Sequence, residues 1–567
     1  MDIQKLYNQW LEKATEDVDL IPELESIKGK EDEIFDRFYR ELEFGTAGLR
    51  GVIGAGTNRM NVYTVRKATQ GLAQYVLSAG GNSAAIAYDS RIKSDVFAKE
   101  AARVLAANGI TVYLYKELMP TPMLSFAVRK LHCTTGIVVT ASHNPSKYNG
   151  YKAYGSDGCQ LSVENSEKVL EFVDTVPMFG GAKLMDFDAA LEQGLIQYIP
   201  DSLIQEYLDT IATYAIEPIK TDLKVIYTPL NGTGNKPVRA ILEKIGVKNV
   251  TVVKEQELPD GNFPTAPYPN PEIRQAFECA LKLAEEVPAD LLLATDPDAD
   301  RVGIAVADGD GYTLMSGNEV GALLLDYILS RRAANGTLPQ NPLAVKTIVS
   351  TQLAAKIAAK YNCQLVDVLT GFKYIGEQVG ILEAKGEENR FVFGFEESYG
   401  YNMSTCVRDK DAVITSMMIC EMAAYYKGMG KSLLTVLADL YKEHGIFCCS
   451  QNSFTFEGAA GMETMKNIMA SLRANPPKEV AGETVTAILD FGTRLETNTA
   501  TGRQTPITLP KSDVLYYRLG DDGDNVIVRP SGTEPKIKIY ITAIAESEEK
   551  AKAKSDAWLS EFKAKFN

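Results

Sequence analysis

Leu223-Lys-Val-Ile-Tyr227, then Asn235-Lys-Pro-Val-Arg-Ala-Ile-Leu-Glu-Lys-Ile-Gly246, then Val250-Thr-Val-Val253, is the stretch whose reading decides the fold. A short β-rich run gives way to Val238, Ile241, Leu242 and Ile245 at helical spacing. Pro237 falls in the first turn, where its missing N–H costs nothing, and Gly246 ends the helix. A second β-rich run follows. Period-3.6 apolar spacing between two short Val/Ile runs is what a βαβ crossover requires.

The same unit occurs on either side. Ala84-Ala-Ile-Ala-Tyr88 leads through Phe97, Ala101, Val104 and Leu105 to Asn108-Gly109 and Ile110-Thr-Val-Tyr-Leu114. Ala344-Val-Lys-Thr-Ile-Val349 leads through Leu353, Ile357 and Tyr361 to Asn362 and Leu365-Val-Asp-Val-Leu369. Three similar α/β domains are predicted. After about residue 445 the texture changes: Asn525-Val-Ile-Val528 and Lys536-Ile-Lys-Ile-Tyr-Ile-Thr542 read as strands. The charged segment Glu546 to Lys565, with Ala551, Trp558, Leu559 and Phe562 at helical spacing, closes a fourth, α+β domain. The predicted domains are 1–202, 203–311, 312–445 and 446–567. A chain of 567 residues agrees with roughly four domains at about 150 residues each.

Composition excludes several function classes. With 59 basic and 74 acidic residues the net charge is −15, which gives no overall pull toward nucleic acid or anionic membrane. The three histidines, His132, His143 and His444, have no shared metal-ligand spacing, so any metal is expected to be oxygen-bound. Eight cysteines without a CxxC pair read as reduced thiols. Met1 to Ile27 lacks the basic start and apolar block of a signal peptide, and no apolar run reaches the length of a membrane span, so a cytoplasmic protein is expected.

Four loops, one per predicted domain, follow apolar strands, at the end where open α/β sheets bind ligands. After Ile137-Val-Val139 comes Thr140-Ala-Ser-His-Asn-Pro145. Its Ser142 sits on a turn stiffened by Pro145 and needs an activator to act as a nucleophile; on this loop alone an ordinary Ser-Asn-Pro turn explains the sequence equally well. After Leu291-Leu-Leu-Ala294 comes Thr295-Asp-Pro-Asp-Ala-Asp-Arg301. Asp296, Asp298 and Asp300 converge well on a hard cation such as Mg²⁺. The calcium-loop alternative fails, because Arg301 stands where that loop needs Gly and Ala307 where it needs the closing Glu.

After Phe391-Val-Phe393 comes Gly394-Phe-Glu-Glu-Ser-Tyr-Gly400, preceded by Thr370-Gly-Phe-Lys373 and followed by Val407-Arg-Asp-Lys-Asp411. Glu396, Glu397 and Ser398 offer acceptors for paired sugar hydroxyls. The fourth loop, Arg529-Pro-Ser-Gly-Thr-Glu-Pro-Lys536, could cradle a phosphate dianion through Arg529, two hydroxyls and the backbone around Gly532; a plain hairpin turn competes with that reading.

Together, in this order, the four loops resemble those of the α-D-phosphohexomutase superfamily, most closely its phosphoglucomutase branch. Phe44-Gly-Thr-Ala-Gly-Leu-Arg-Gly51 also looks like the first active-site loop of that family, and the similarity runs from about Glu43 to Thr542. The resemblance implies a four-domain, heart-shaped α/β molecule, with mixed sheets in three domains, and phosphoryl transfer from a serine. By it, Ser142 is the phosphoserine and, with Asp296, Asp298 and Asp300, a ligand of Mg²⁺. Arg50, His143, Lys152 and Lys410 belong with Ser142 in the catalytic set. Arg301, Thr370, Glu396, Ser398, Arg529, Ser531, Gly532 and Thr533 bind the phosphorylated sugar.

Glucose is the implied substrate, exchanged between its 1- and 6-phosphates through glucose 1,6-bisphosphate, which doubles as activator. A phosphopentomutase, a phosphomannomutase and a catalytically silent phosphosugar sensor are the alternatives. The sensor reading conflicts with the intact Ser142, Asp triad and phosphate loop, and a serine hydrolase lacks its Gly-x-Ser-x-Gly elbow here. The histidine base that the resemblance would place between Ser398 and Lys410 is absent, which makes Lys410 the better candidate there and leaves open which of Lys152 and Lys410 is the acid/base. The oligomeric state is not legible.

Overall fold

The computed structural model describes every residue except 1, 46–47, 457–460, 521, 532–535 and 567. The chain divides into two compact units. One comprises Met1–Gly317, Ile375–Gly394 and Ser398–Gly430; the other comprises Asn318–Tyr374, Phe395–Glu397 and Lys431–Asn567.

In the first unit a six-stranded sheet has the order Gly48–Val52, Tyr148–Gly155, Thr135–Val139, Ser83–Tyr88, Thr111–Leu114, Ile196–Tyr198. Ser83–Tyr88 and Thr111–Leu114 run parallel, joined by the helix Ser94–Ala107, so the first crossover unit is present. The second is present in the next sheet, where Lys224–Thr228 and Asn249–Val252 run parallel around the helix Asn235–Lys244. Phe97, Ala101, Val104 and Leu105 of one helix, and Val238, Ile241 and Leu242 of the other, are buried as the periodicity requires. Ile245 is only half-buried, because the helix stops at Lys244 and leaves it at the cap.

Both sheets change character at the same place. Thr135–Val139 pairs in parallel with Ser83–Tyr88 on one side and antiparallel with Tyr148–Gly155 on the other. Leu291–Thr295 likewise pairs in parallel with Lys224–Thr228 and antiparallel with Val302–Asp308. The Ser142 loop and the Asp296 loop therefore leave equivalent strands, each at the point where a crossover sheet turns back on itself as a hairpin. Both feeding strands are buried along their whole length, which anchors the loops on rigid supports.

Residues before Glu43 form three helices, Ile3–Lys13, Leu20–Ser26 and Glu31–Phe38. Trp10 is their anchor, packed edge-on against Phe38, Tyr63 and Phe179 at 6.0, 5.7 and 5.2 Å.

In the second unit Leu343–Thr347 and Gln364–Val368 run parallel around the helix Leu353–Lys360, the third crossover. The carboxyl-terminal region is an antiparallel eight-stranded sheet. Its order is Ile446–Thr455, Lys536–Ala545, Asp524–Pro530, Leu515–Leu519, Glu483–Asp490, Leu495–Asn498, Gln504–Pro506, with Glu479–Val480 beside Glu483–Asp490. The closing helix Glu548–Ala564 buries Ala551, Trp558 and Phe562, and Leu559 packs at the edge of the same core. This matches the predicted α+β ending. Among the described residues no helix is long and apolar enough to cross a membrane.

Candidate active site

Ser142 occupies the left-handed region, with φ 53, a conformation that costs a non-glycine residue about 1 kcal/mol or more and persists where surrounding bonds impose it. Those bonds come from the end of the strand Ser83–Tyr88. Asp89 accepts from Thr140 Oγ1 at 2.6 Å, and Thr140 Oγ1 in turn accepts from Ser142 N at 2.8 Å. Arg91 donates through Nη1 to the carbonyls of Pro145 and Tyr148 at 3.0 and 3.1 Å, and through Nη2 to those of Ser142 and Asn144. One buried guanidinium thus holds four carbonyls of the serine loop. Sequence reasoning missed Asp89 and Arg91, although Asp89-Ser-Arg91 follows an apolar strand at its carboxyl end as the four chosen loops do.

The turned serine points Oγ at Asp296, whose Oδ2 accepts at 2.8 Å across 154 positions of sequence. His143 Nδ1 lies 3.2 Å from the same Oγ. Burial, with Arg301 and Arg50 nearby, pushes the His143 pKa well below its ordinary value and keeps the ring neutral.

The Asp loop is clamped from several sides. Asp296 Oδ1 accepts from the amides of Asp300 and Arg301 at 3.1 and 2.9 Å. The Pro297 carbonyl accepts from Thr233 N at 2.8 Å, and that of Asp298 from Thr121 N at 2.9 Å. Thr121 Oγ1 also donates to Asp298 Oδ2 at 2.9 Å. Gly232 is required here, because a Cβ at that position would sit 2.4 Å from Pro297 Cα.

Asp296, Asp298 and Asp300 are all buried, and one carboxylate oxygen of each lies within 4.8 Å of the others. Among the described residues, Asp298 Oδ1 and Asp300 Oδ1 are buried without a hydrogen-bond partner. Buried carboxylate oxygens left in this state, in a triad this close, fit a hard divalent cation. Burial and its two carboxylate neighbours raise the Asp296 pKa well above the usual range. Burial opposes ionisation of Asp298 as well, but Lys152 beside it prevails and holds its carboxyl below that range.

Two lysines partly offset the charge. Lys152 Nζ is 3.0 Å from Asp298 Oδ2 and 3.5 Å from Asp300 Oδ2; burial works against its charge, yet the two carboxylates raise its pKa and keep it an ammonium. Lys410 Nζ is 3.3 Å from Asp300 Oδ2 and 3.1 Å from Asp409 Oδ1. Asp409 Oδ2 accepts from Tyr154 OH at 2.7 Å and Gln160 Nε2 at 3.1 Å, a supporting set invisible to sequence patterns. Gly400 makes room for Lys410: a Cβ there would lie 2.2 Å from Lys410 Cδ. Arg301 donates to Glu272 Oε1 at 2.6 Å and to the Ser398 carbonyl at 3.0 Å, so Ser398 is tied to the Asp loop through its backbone. Arg50 lies on Gly48–Val52 opposite Gly150. Arg408 is buried and donates to Glu383 Oε2 at 2.6 Å.

The first unit therefore gathers Ser142, His143, the three aspartates, Lys152, Lys410, Arg301 and Ser398. The second unit carries the remaining candidates. Glu396 Oε1 accepts from Gly371 N at 2.7 Å, beside Thr370. Glu397 Oε2 accepts from Thr347 Oγ1 at 3.2 Å. Arg529 is a cross-strand neighbour of Lys538, and Ser531 N donates to the Lys536 carbonyl at 2.7 Å. Gly532 and Thr533 lie outside the described residues.

Burial, then the charge of Glu396, pushes the Glu397 carboxyl from 4.5 up to about 7. Between those values the folded chain holds a proton that the unfolded chain has released, so this group makes stability fall as pH rises through the window. Glu397→Gln is expected to flatten that part of the stability profile in urea unfolding followed across the same pH range. Identical slopes in the two proteins would refute the assignment.

Residues 41–177, 205–309 and 316–444 match domains I, II and III of the family described as phosphoglucomutase/phosphomannomutase, each an alpha/beta/alpha domain. Among curated proteins, a phosphoglucomutase of Staphylococcus aureus (strain bovine RF122 / ET3-1) is 39% identical over 510 residues, covering 89% of this chain and 90% of that one. A phosphoglucomutase of Staphylococcus epidermidis (strain ATCC 12228 / FDA PCI 1200) is 38% identical over 507 residues, 88% and 90% of the two chains. Among solved structures, a phosphoglucomutase/phosphomannomutase family protein from Burkholderia thailandensis superposes with a TM-score of 0.67 at 19% identity, covering 92% of this chain and 97% of that one. The phosphoglucomutase pp63/parafusin from Paramecium gives 0.67 at 16%, covering 93% and 95%. With three consecutive domain matches and relatives near 40% identity along most of its length, this chain belongs to the phosphoglucomutase/phosphomannomutase family.

Proposed function

We propose that this protein interconverts α-D-glucose 1-phosphate and glucose 6-phosphate, with Ser142 as the phosphoryl carrier and glucose 1,6-bisphosphate as intermediate and activator. The observation that carries the mechanism is Ser142 Oγ at 2.8 Å from Asp296, within a buried triad flanked by two lysines. A free sugar hydroxyl attacks the phosphorus on Ser142. The new P–O bond forms as the bond to Oγ breaks, and the hydroxyl proton passes to a lysine in its neutral form, which delivers it to the departing Oγ. After the bisphosphate turns over, the same step runs in reverse from its other end.

Lys410, on the loop that has no histidine between Ser398 and Lys410, is the preferred base, and Lys152, held as an ammonium by Asp298 and Asp300, is the charge partner. Arg50 and Arg301 offset charge on the transferring group, and neutral His143 borders the serine. Mg²⁺ held by Asp296, Asp298, Asp300 and the phosphorylated Ser142 would neutralise charge on the phosphoryl oxygens. Thr370, Glu396 and Ser398 are assigned to the sugar hydroxyls, and Arg529, Ser531, Gly532 and Thr533 to the phosphate that is not reacting. The division at residues 202, 311 and 445 belongs to the same proposal and is supported by the limits of the matched segments. A cytoplasmic location completes it.

Glucose rests on Glu396-Glu397-Ser398 and on the phosphoglucomutase relatives. Turnover on glucose 1-phosphate is expected to exceed that on ribose 1-phosphate and mannose 1-phosphate at matched concentrations. A strong preference for the pentose or for mannose would overturn the substrate assignment.

A further inference from the structure

The segment between the first two helices carries charged groups that reach the supports of the catalytic loops. Lys93 Nζ takes both oxygens of Asp17 at 2.8 Å and Asp19 Oδ2 at 2.8 Å. Asp17 is buried, and Lys93 is itself in the left-handed region, with φ 63, directly before the helix Ser94–Ala107. Three carboxylate oxygens on one mostly buried ammonium form a stronger restraint than an exposed ion pair.

Two residues before Lys93 stands Arg91, whose guanidinium holds the four serine-loop carbonyls. The turn between them is bonded to the same loop again. Ser94 Oγ donates to Asp89 Oδ1 at 2.7 Å, and Asn149 Nδ2 donates to the Ile92 carbonyl and to Ser94 Oγ, both at 3.0 Å. Residues 89–94 thus grip residues 140–149 from one side, and Asp17 grips residues 89–94 from the other.

A second contact reaches the loop after the strand that bears Arg50. Glu23 Oε2 accepts from Ala55 N at 2.9 Å, and Ile53 N donates to the Lys147 carbonyl at 2.8 Å. The segment is fastened to the domain independently of these bonds, by the Trp10 aromatic cluster and by Arg66 Nη1 on Glu16 Oε2 at 2.7 Å. The Asp17–Lys93 contact is therefore not needed to keep the helices in place.

We propose that the amino-terminal helical segment is a brace for phosphoryl transfer: Lys93, fixed by Asp17, is a positioning residue that holds the Arg91 turn and through it the backbone of Ser142. The proposal rests on the reading of Ser142 as phosphoryl carrier. Misplacement of a reacting group by about 1 Å can cost up to about 100-fold in rate, so a brace acting at this distance is felt in turnover.

The test uses the full chain with Lys93→Met, the near-isosteric Asp17→Asn, the conservative Lys93→Arg, and the double variant of the first two. Lys93→Met and Asp17→Asn are each expected to lower kcat about tenfold with KM little changed, and to speed amide exchange of residues 140–149 by about tenfold, the scale of one charge-assisted hydrogen bond. Lys93→Arg should restore most of both, and the double variant should be no worse than either single one. If Lys93→Met does not fold, Asp17→Asn with Lys93→Arg decides the matter. Unchanged exchange at 140–149 and unchanged kcat, with only the unfolding midpoint lowered, would overturn the brace. Faster exchange in a protein whose Ser142 never carries phosphate would retain the brace and reject only the phosphoserine reading.

Discussion

Ser142→Ala is expected to reduce mutase turnover by at least about 10⁴-fold, because the proposed covalent route then loses its carrier. His143 Nδ1 lies 3.2 Å from Ser142 Oγ, and a phosphorylated ring nitrogen there would start from a different position. The fold should tolerate the change. The left-handed backbone at residue 142 is imposed by Arg91 and Thr140, which bond to main-chain atoms that the alanine retains. Thermal unfolding should therefore shift by only a few degrees. Peptide mapping of the purified protein supplies the second arm: phosphate on the peptide containing Ser142, lost on incubation with excess sugar monophosphate and absent from the variant. Stable activity in Ser142→Ala would exclude the mechanism outright.

Asp298→Asn is expected to cost about 10³-fold or more in turnover, the scale of several kcal/mol of charge stabilisation that a bound cation contributes to a transition state. Asn keeps an oxygen for Thr121 Oγ1, and Lys152 keeps Asp300, so folding should survive. Metal dependence distinguishes this from a general weakening. A ligand at one hundred times its Kd stabilises by about 2.7 kcal/mol, so the unmodified protein should melt higher in Mg²⁺ than in chelator, and the variant should lose most of that difference. Removal of the metal should also destabilise, since Asp296, Asp298 and Asp300 then face one another with Lys152, Lys410 and Arg301 only partly offsetting them. Full activity of the unmodified protein in chelator would show that the triad does not serve a metal.

Much of this is legible in the sequence. The helices at 94–107, 235–244 and 353–360 and their flanking strands follow from apolar spacing, which reflects backbone geometry over a few residues. The Ser142 and Asp296 loops stood out because their residue types are chemically unusual directly after buried strands. Asp89 and Arg91 did not stand out, since a carboxylate and a guanidinium two residues apart are ordinary on a surface, and only their burial against main-chain carbonyls makes them special. Arg408 illustrates the opposite case: a guanidinium two residues from Lys410 in the sequence, it is buried on Glu383.

The sequence by itself determined the order of elements, the three crossover units and the chemistry carried by each loop, because these depend on neighbours within one or two turns of chain. Tertiary structure alone decided that Ser142 meets Asp296, that Lys152 and Lys410 both reach Asp300, and that Asp17 reaches Lys93. The physical reason is the same for each. A charge in water interacts weakly with its surroundings, and its value to a site is set by burial and by partners brought from distant positions, neither of which is written in the local sequence.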